Sequence, residues 1–306
     1  MTNERTTKRQ RIVGRRSSPP AGKQRHTQRP EWPPYNASFG NSASGIQHSD
    51  FLSGHRAHDY AFLVARWRSV AEQCGLVMRP FAIEAGHRIY CVRSKRMPKD
   101  GGIYISAGIH GDEPAGTEAL IAWAEKNTPV LASSPFLIIP CLNPWGLINN
   151  SRFDAERRDL NRAFHQDDLP LIASLKSLLR SHRFALGLML HEDYDGQGVY
   201  LYELESATPF WGEDLLKAAQ PILPIEGRTL IDGRESTGSG IVRRKIKMRM
   251  FKKIGLPEAV YLHLHHTKRG FTVETPSEFA LDARVHAHVA IIEECVRRVA
   301  TSPQQT

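Results

Sequence analysis

The chain has no apolar run near the ~18 consecutive residues of a membrane-spanning helix, and its N-terminus lacks the apolar core of a secretory signal. Cysteine is sparse: Cys74, Cys91, Cys141 and Cys295 show no paired spacing, which speaks against a disulfide framework. Cys91, Cys141 and Cys295 sit in apolar runs, where a buried reduced thiol is expected. These absences predict a cytoplasmic protein with no membrane partner. The Arg-rich start also has the composition of a transit peptide, but it carries no clear amphipathic stretch, so that stays a minor alternative.

Acid is scarce at the start of the chain, where residues 1–30 hold Glu4 alone against nine Lys and Arg. Most of the formal charge of +9 therefore lies in this segment, and the remainder is close to neutral. Nucleic acid is disfavoured as a partner of the folded part. Residues 1–45 are rich in Pro, Ser, Arg, Gln and Asn, with almost no periodic apolar residues, and are read as a disordered basic tail. Residues 46–306 are long enough to bury a sizeable core, and the hydrophobic fraction of 41% is ordinary for a globular domain.

Strand and helix signals alternate after His58-Asp59. A helical stripe runs from Tyr60 to a stop at Gly75. Short strands are expected at Ile89–Val92, Ile103–Ala107, Phe136–Ile139, Ala185–Leu190, Val199–Tyr202, Tyr261–Leu264 and Phe271–Val273. Helices are expected at Thr117–Lys126, Leu169–Leu179, Gly212–Gln220 and Leu281–Val299. The alternation specifies an α/β fold: one domain with a mixed, largely parallel central sheet flanked by helices.

The run Gly108-Ile109-His110-Gly111-Asp112-Glu113 leaves the Ile103–Ala107 strand, and Pro114 then opens a helix. An imidazole and a carboxylate three residues apart on one turn can converge on a cation, and the glycines let backbones approach closely. The spacing alone is no more than chance allows in a chain with 14 histidines. Other groups arrive at comparable strand ends. Asn143-Pro144-Trp145-Gly146 reads as a turn, Arg152 and Arg158-Asp159-Leu160-Asn161-Arg162 follow it, and His191-Glu192-Asp193 and Glu274-Thr275-Pro276 end later strands. A third ligand, a carboxylate base and a set of Arg and Asn groups on one edge is the layout that metal-assisted hydrolysis needs.

GIHGDE, the NPWG turn followed by SR and DLNR, an apolar strand ending in His and a late strand ending in Glu together resemble the zinc carboxypeptidase superfamily, over roughly residues 100–295. That superfamily also holds the succinylglutamate desuccinylases and aspartoacylases and the short bacterial members. The resemblance implies a zinc carboxypeptidase-like catalytic domain over 46–306, with one Zn2+ held by His110, Glu113 and His191 and a water in the fourth place. It implies Glu274 as general base, and Arg152 as the group that polarises the scissile carbonyl and stabilises the oxyanion. Asn161 and Arg162 would hold a substrate carboxylate, Arg through its planar fork.

Glu192 reads as an outer carboxylate rather than a catalytic one, Asp112 as pointing away, and Arg157 and Arg158 as a solvated face. In Arg243–Lys253, cations alternate with Ile246, Met248 and Met250, which predicts a strand with a wet basic edge; a rim drawing anionic substrates is the sharper reading. His263 and His265 would share one face of a strand, where packing or substrate contact is expected rather than a second metal. Trp145 stands where an acidic residue is usual in carboxypeptidases, and the forms ERRDLNRAF and GIHGDEPAG look closer to the desuccinylase and aspartoacylase side. The expected activity is metallocarboxypeptidase-type hydrolysis of an amide or peptide bond next to a free carboxylate. N-acyl amino acid deacylation is the alternative, and a non-catalytic binding protein on the same fold a third.

Overall fold

The computed structural model describes residues 56–205, 208–231, 233–236, 240–243 and 245–301; the basic tail expected at 1–45 lies outside the described residues. In chain order the elements are α1 (Tyr60–Gln73), β1 (Val77–Glu84), β2 (His87–Arg93), β3 (Ile103–Ala107), α2 (Pro114–Lys126), α3 (Thr128–Ser133), β4 (Phe136–Ile139) and α4 (Pro144–Asn149). Then come α5 (Pro170–Leu179), β5 (Leu186–Asp193), β6 (Tyr200–Glu205), α6 (Gly212–Ala219), β7 (Leu230–Ile231), β8 (Arg234–Glu235), β9 (Ile241–Arg243), α7 (Glu258–His265), β10 (Arg269–Pro276) and α8 (Leu281–Thr301).

Eight strands form one mixed sheet in the order β1-β2-β4-β3-β5-β10-β6-β9. The central block β4-β3-β5-β10 is parallel, and antiparallel pairings flank it at β2–β4 and β10–β6. β3 and β4 are buried along their whole length, as continuous apolar runs between two helical layers must be. Ile103, Ile105 and Ala107 of β3 pack with Trp67 of α1, Leu120 of α2 and Ile291 of α8, whereas Tyr104 packs on the other face with Ile172 of α5 and Leu262 of α7. The result is the expected single α/β domain, with helices on both faces of the sheet.

Local chemistry explains the boundaries. Asp59 caps α1 by accepting from the Phe62 backbone N–H at 2.9 Å, and Gly75 closes it at φ +64° with Leu76 N–H bonded back to Ala71 O at 2.8 Å. β1 has no counterpart in the sequence reading. It is an edge strand bulged between Pro80 and Ala82, and Arg79, Pro80 and Glu84 interrupt its pattern.

Two strand expectations are overturned. Tyr261–Leu264 belongs to helix α7, whose buried Glu258, Ala259 and Leu262 follow a helical period, so His263 and His265 share no strand face. Within Arg243–Lys253 the strand ends at Arg243, and Met248–Phe251 is a 3-10 turn anchored by buried Phe251, to whose carbonyl Gly255 donates at 2.9 Å. Among the described residues no helix is long and apolar enough to cross a membrane. All four cysteines are unpaired, and burial pushes the thiols of Cys91 and Cys141 up to about 12.

Candidate metal centre

The site is built where β3, β5 and β10 end. Gly108 turns the chain out of β3 at φ +63°, and a Cβ there would lie 2.8 Å from Thr117 Cγ2, so only glycine fits. Gly111 approaches the second loop still more closely: a Cβ on it would fall 1.8 Å from the Gly146 carbonyl carbon. The GIHGDE and NPWG segments are thus docked backbone to backbone, with Gly111 N–H donating to Ser151 O at 2.9 Å. Asn143 caps α4 by accepting from Gly146 N–H at 2.9 Å, so the expected turn is the start of a short helix.

Glu113 occupies the cap position of α2 yet makes no side-chain capping bond. The Glu192 carboxylate does so instead, accepting from Ala115 N–H at 2.6 Å. Glu113 is thereby released to face two imidazoles: its Oε1 lies 2.6 Å from His110 Nδ1 and its Oε2 lies 2.9 Å from His191 Nδ1. The Glu192 backbone N–H adds a bond to Glu113 Oε2 at 3.2 Å. His110, Glu113 and His191 are all buried, and their candidate ligand atoms lie within 4.8 Å of one another.

Burial alone would raise the Glu113 carboxyl, but the His110 and His191 imidazoles outweigh it and hold the group well below the usual carboxylate range. Burial alone would lower His110, but Glu113 and Asp159 outweigh it and raise the imidazole. His110 Nδ1 meets the Glu113 acceptor at 2.6 Å and the Arg152 Nη1 donor at 3.3 Å, and no single protonation state satisfies both. A neutral imidazole with its lone pair aimed into this space, beside a second imidazole and an ionised carboxylate, fits the donor chemistry of zinc.

Asp159, to which the sequence reading gave no role, stands behind this set. Its Oδ1 lies 3.2 Å from His110 Nε2 and accepts from Asn161 N–H at 3.0 Å, while its Oδ2 accepts from Arg152 Nη2 at 3.1 Å. A carboxylate on the far nitrogen of a ligand imidazole fixes its tautomer and orientation. Only its cap of the Leu160–Arg162 turn is local; its contact with His110 joins residues 49 apart in the chain.

The other expected residues are placed as follows. Arg152 reaches the cluster itself, with Nη1 at 3.4 Å from Glu113 Oε1. Glu274 is half-buried on β10, directly paired with His191 of β5, and is outside the convergent ligand set. Asn161 and Arg162 lie in a 3-10 turn (Leu160–Arg162); Asn161 Oδ1 accepts from Glu258 N–H at 3.0 Å, and Arg162 Nη1 donates to the Asn161 carbonyl at 3.0 Å. Asp112 is exposed, as expected.

Arg158 corrects its reading as a solvated group. It donates to Asp154 Oδ2 at 2.6 Å and Glu84 Oε1 at 2.9 Å and also pairs with Glu156, joining the DLNR loop to β1.

α8 supplies two further residues that the sequence did not suggest. Arg284 pairs with Glu192, and His288 Nε2 lies 3.1 Å from the Thr275 hydroxyl. Burial pushes the His288 imidazole down to about 3, so it stays neutral.

Residues 100–186 match the model of the Succinylglutamate desuccinylase/Aspartoacylase catalytic domain, a segment that holds GIHGDE, NPWG and DLNR and stops short of His191 and Glu274. No curated protein matches the sequence.

The fold is similar to that of a candidate metallopeptidase from Shewanella amazonensis SB2B, at 21% identity and a TM-score of 0.70, over 79% of this chain and 94% of that one. It is also similar to a metallo-carboxypeptidase from Burkholderia cenocepacia, at 16% identity and 0.60, over 79% of this chain and 69% of that one. Carboxypeptidase A from Helicoverpa armigera gives 13% and 0.57, over 80% and 74%. These likenesses show the fold. Together with the matched segment they bear out the resemblance read from the motifs.

Proposed function

We propose that the protein is a zinc-dependent hydrolase that cleaves an amide bond next to a free carboxylate. The observation that carries this reading is the convergence of buried His110, Glu113 and His191, with Asp159 behind His110 and Glu274 beside His191. A zinc ion held by those three side chains would acidify a water and polarise a carbonyl.

The protein's own groups account for the rest. Glu274 takes the proton from the attacking water and passes it to the leaving amine as the C–N bond breaks. Arg152, already aimed at the ligand set, donates to the oxyanion that develops at the scissile carbonyl. Arg162 and Asn161 hold the substrate carboxylate, and the bond from Glu258 N–H fixes the Asn161 amide for that task. Four unpaired cysteines fit a reducing compartment and support a cytoplasmic setting.

The substrate of the first reading is a small peptide with a free C-terminal carboxylate. N-acyl amino acid deacylation is the second reading, favoured by the match of residues 100–186 to the desuccinylase and aspartoacylase catalytic domain. A panel of dipeptides set against N-succinyl and N-acetyl amino acids separates the two. Turnover of dipeptides supports the carboxypeptidase reaction, turnover of N-acyl amino acids alone supports deacylation, and no turnover by zinc-loaded protein contradicts both and favours a binding role.

A further inference from the structure

A cavity of about 420 Å³ opens at the other end of the sheet from the metal centre, lined among others by Lys176, Ser177, Arg180, Arg183, Tyr261 and His266. Arg183 precedes β5 and His266 precedes β10, whereas His191 and Glu274 lie toward the far ends of those strands, roughly 20 Å along the sheet. The cavity is therefore separate from the proposed active site.

Its polar groups are almost all donors. Lys176 lies 5.1 Å over the Tyr261 ring, and its ammonium pairs at 2.6 Å with Asp167, whose side chain is 87% exposed and so holds the cation only weakly. Arg183 Nη1 donates to the His182 carbonyl at 3.1 Å, and among the described residues neither Arg183 nor Arg180 has a carboxylate partner. His266 Nδ1 donates to the His182 carbonyl at 2.9 Å, which leaves its Nε2 to accept from Tyr261 O–H at 3.4 Å. Burial first, with the Arg183 charge beside it, presses the His266 imidazole down despite the bond to the His182 carbonyl. Three side-chain cations against one exposed acid leave a surplus of about two positive charges around a space wide enough for a small ligand.

We propose that this cavity is an anion site for a phosphoryl group, held by Lys176, Arg180 and Arg183 with the Ser177 hydroxyl as a further donor. Charge and geometry favour phosphate over a single carboxylate, because the surplus matches a dianion and each guanidinium offers a planar fork to paired oxygens. Small phosphate compounds and the backbone of a nucleic acid share this chemistry. The near-neutral balance of the chain after its first 30 residues favours the small compound, since a nucleic acid needs a track of cations beyond one cavity.

The test is calorimetric titration of the full-length protein with inorganic pyrophosphate at low salt, using wild type, an Arg180→Gln/Arg183→Gln double variant and Arg297→Gln as a control on the exposed face of α8. Wild type and Arg297→Gln should take up one equivalent, and the double variant should bind roughly tenfold more weakly or worse, as the loss of two charge-assisted contacts implies. Both substituted arginines are exposed, so the variant should keep the wild-type unfolding midpoint. Absence of binding by wild type, or equal binding by the double variant, as when the metal centre alone takes the anion, overturns the proposal. Binding of a single-stranded oligonucleotide that displaces pyrophosphate and is lost in the same variant upholds the phosphoryl site with nucleic acid as its source.

Discussion

His191 and Glu274 are directly paired residues of the parallel β5–β10 ladder, so the proposed ligand and the proposed base are neighbours through backbone hydrogen bonding rather than loop packing. The next pair in that register is Glu192 and Thr275, whose side chains point to the opposite face of the sheet. There α8 meets both, Arg284 pairing with Glu192 and His288 bonding Thr275 at 3.1 Å. Arg284 and His288 are four residues apart and share one face of the helix. One helix thereby fixes the residues that follow the ligand and the base.

The geometry of Glu274 predicts a separation of binding from catalysis. Glu274→Gln should keep its zinc and lose about two to four orders of magnitude in kcat, the scale of a lost general base. Metal analysis beside steady-state kinetics checks this. Loss of the metal itself would make Glu274 a ligand and sink the assignment.

Asp159 predicts a change in affinity rather than in ligand number. Asp159→Asn should weaken zinc binding by roughly 10- to 100-fold by loosening His110, with one metal still bound at saturation. Competition with a chelator of known affinity measures it. An unchanged affinity would mean that the 3.2 Å contact to His110 does not orient the ring.

The Arg284–Glu192 pair predicts a stability effect that a double substitution reverses. Arg284→Ala strands the Glu192 carboxylate in the interior and should cost about 3–5 kcal/mol, whereas Arg284→Met with Glu192→Gln should recover most of that. Denaturant unfolding gives both numbers. Equal losses in the single and double variants would show that the pair, rather than the stranded charge, carries the stability.

The Arg158 network predicts a pH dependence remote from the metal. Burial first, then the neighbouring Asp154, raises the Glu84 carboxyl to about 7, above its unfolded value. A raised carboxyl favours folding while it stays protonated, so this contribution is present at acid pH and is lost as pH rises through about 7. Relative to Glu84→Gln, the wild type should lose stability between about pH 5 and pH 8. Parallel unfolding profiles for the two proteins would contradict it.

What could be read from the sequence follows from where the information is local. Continuous apolar runs such as Phe136–Ile139, and the Asp59 and Gly75 punctuation of α1, are local, and their elements formed as expected. Gly108 and Gly111 sit in a visible motif because backbones must touch there. β1 escaped because an edge strand with Pro80 needs no apolar alternation. A short apolar run such as Tyr261–Leu264 does not distinguish a strand from a buried helix, and α7 forms there instead of the expected strand. The duties of Asp159, Glu192, Arg284 and His288 are tertiary, made by groups up to 92 residues apart, and no spacing rule reaches that far.

Zinc content of the purified full-length protein, measured on the preparation used for the substrate panel, tests the central claim most directly. About one zinc per chain in wild type, falling below about 0.3 in Glu113→Ala with the far-UV circular dichroism unchanged because Glu192 caps α2, is the predicted result. Wild-type protein that hydrolyses the panel with less than about 0.3 zinc per chain, or Glu113→Ala that keeps its full complement, would contradict it.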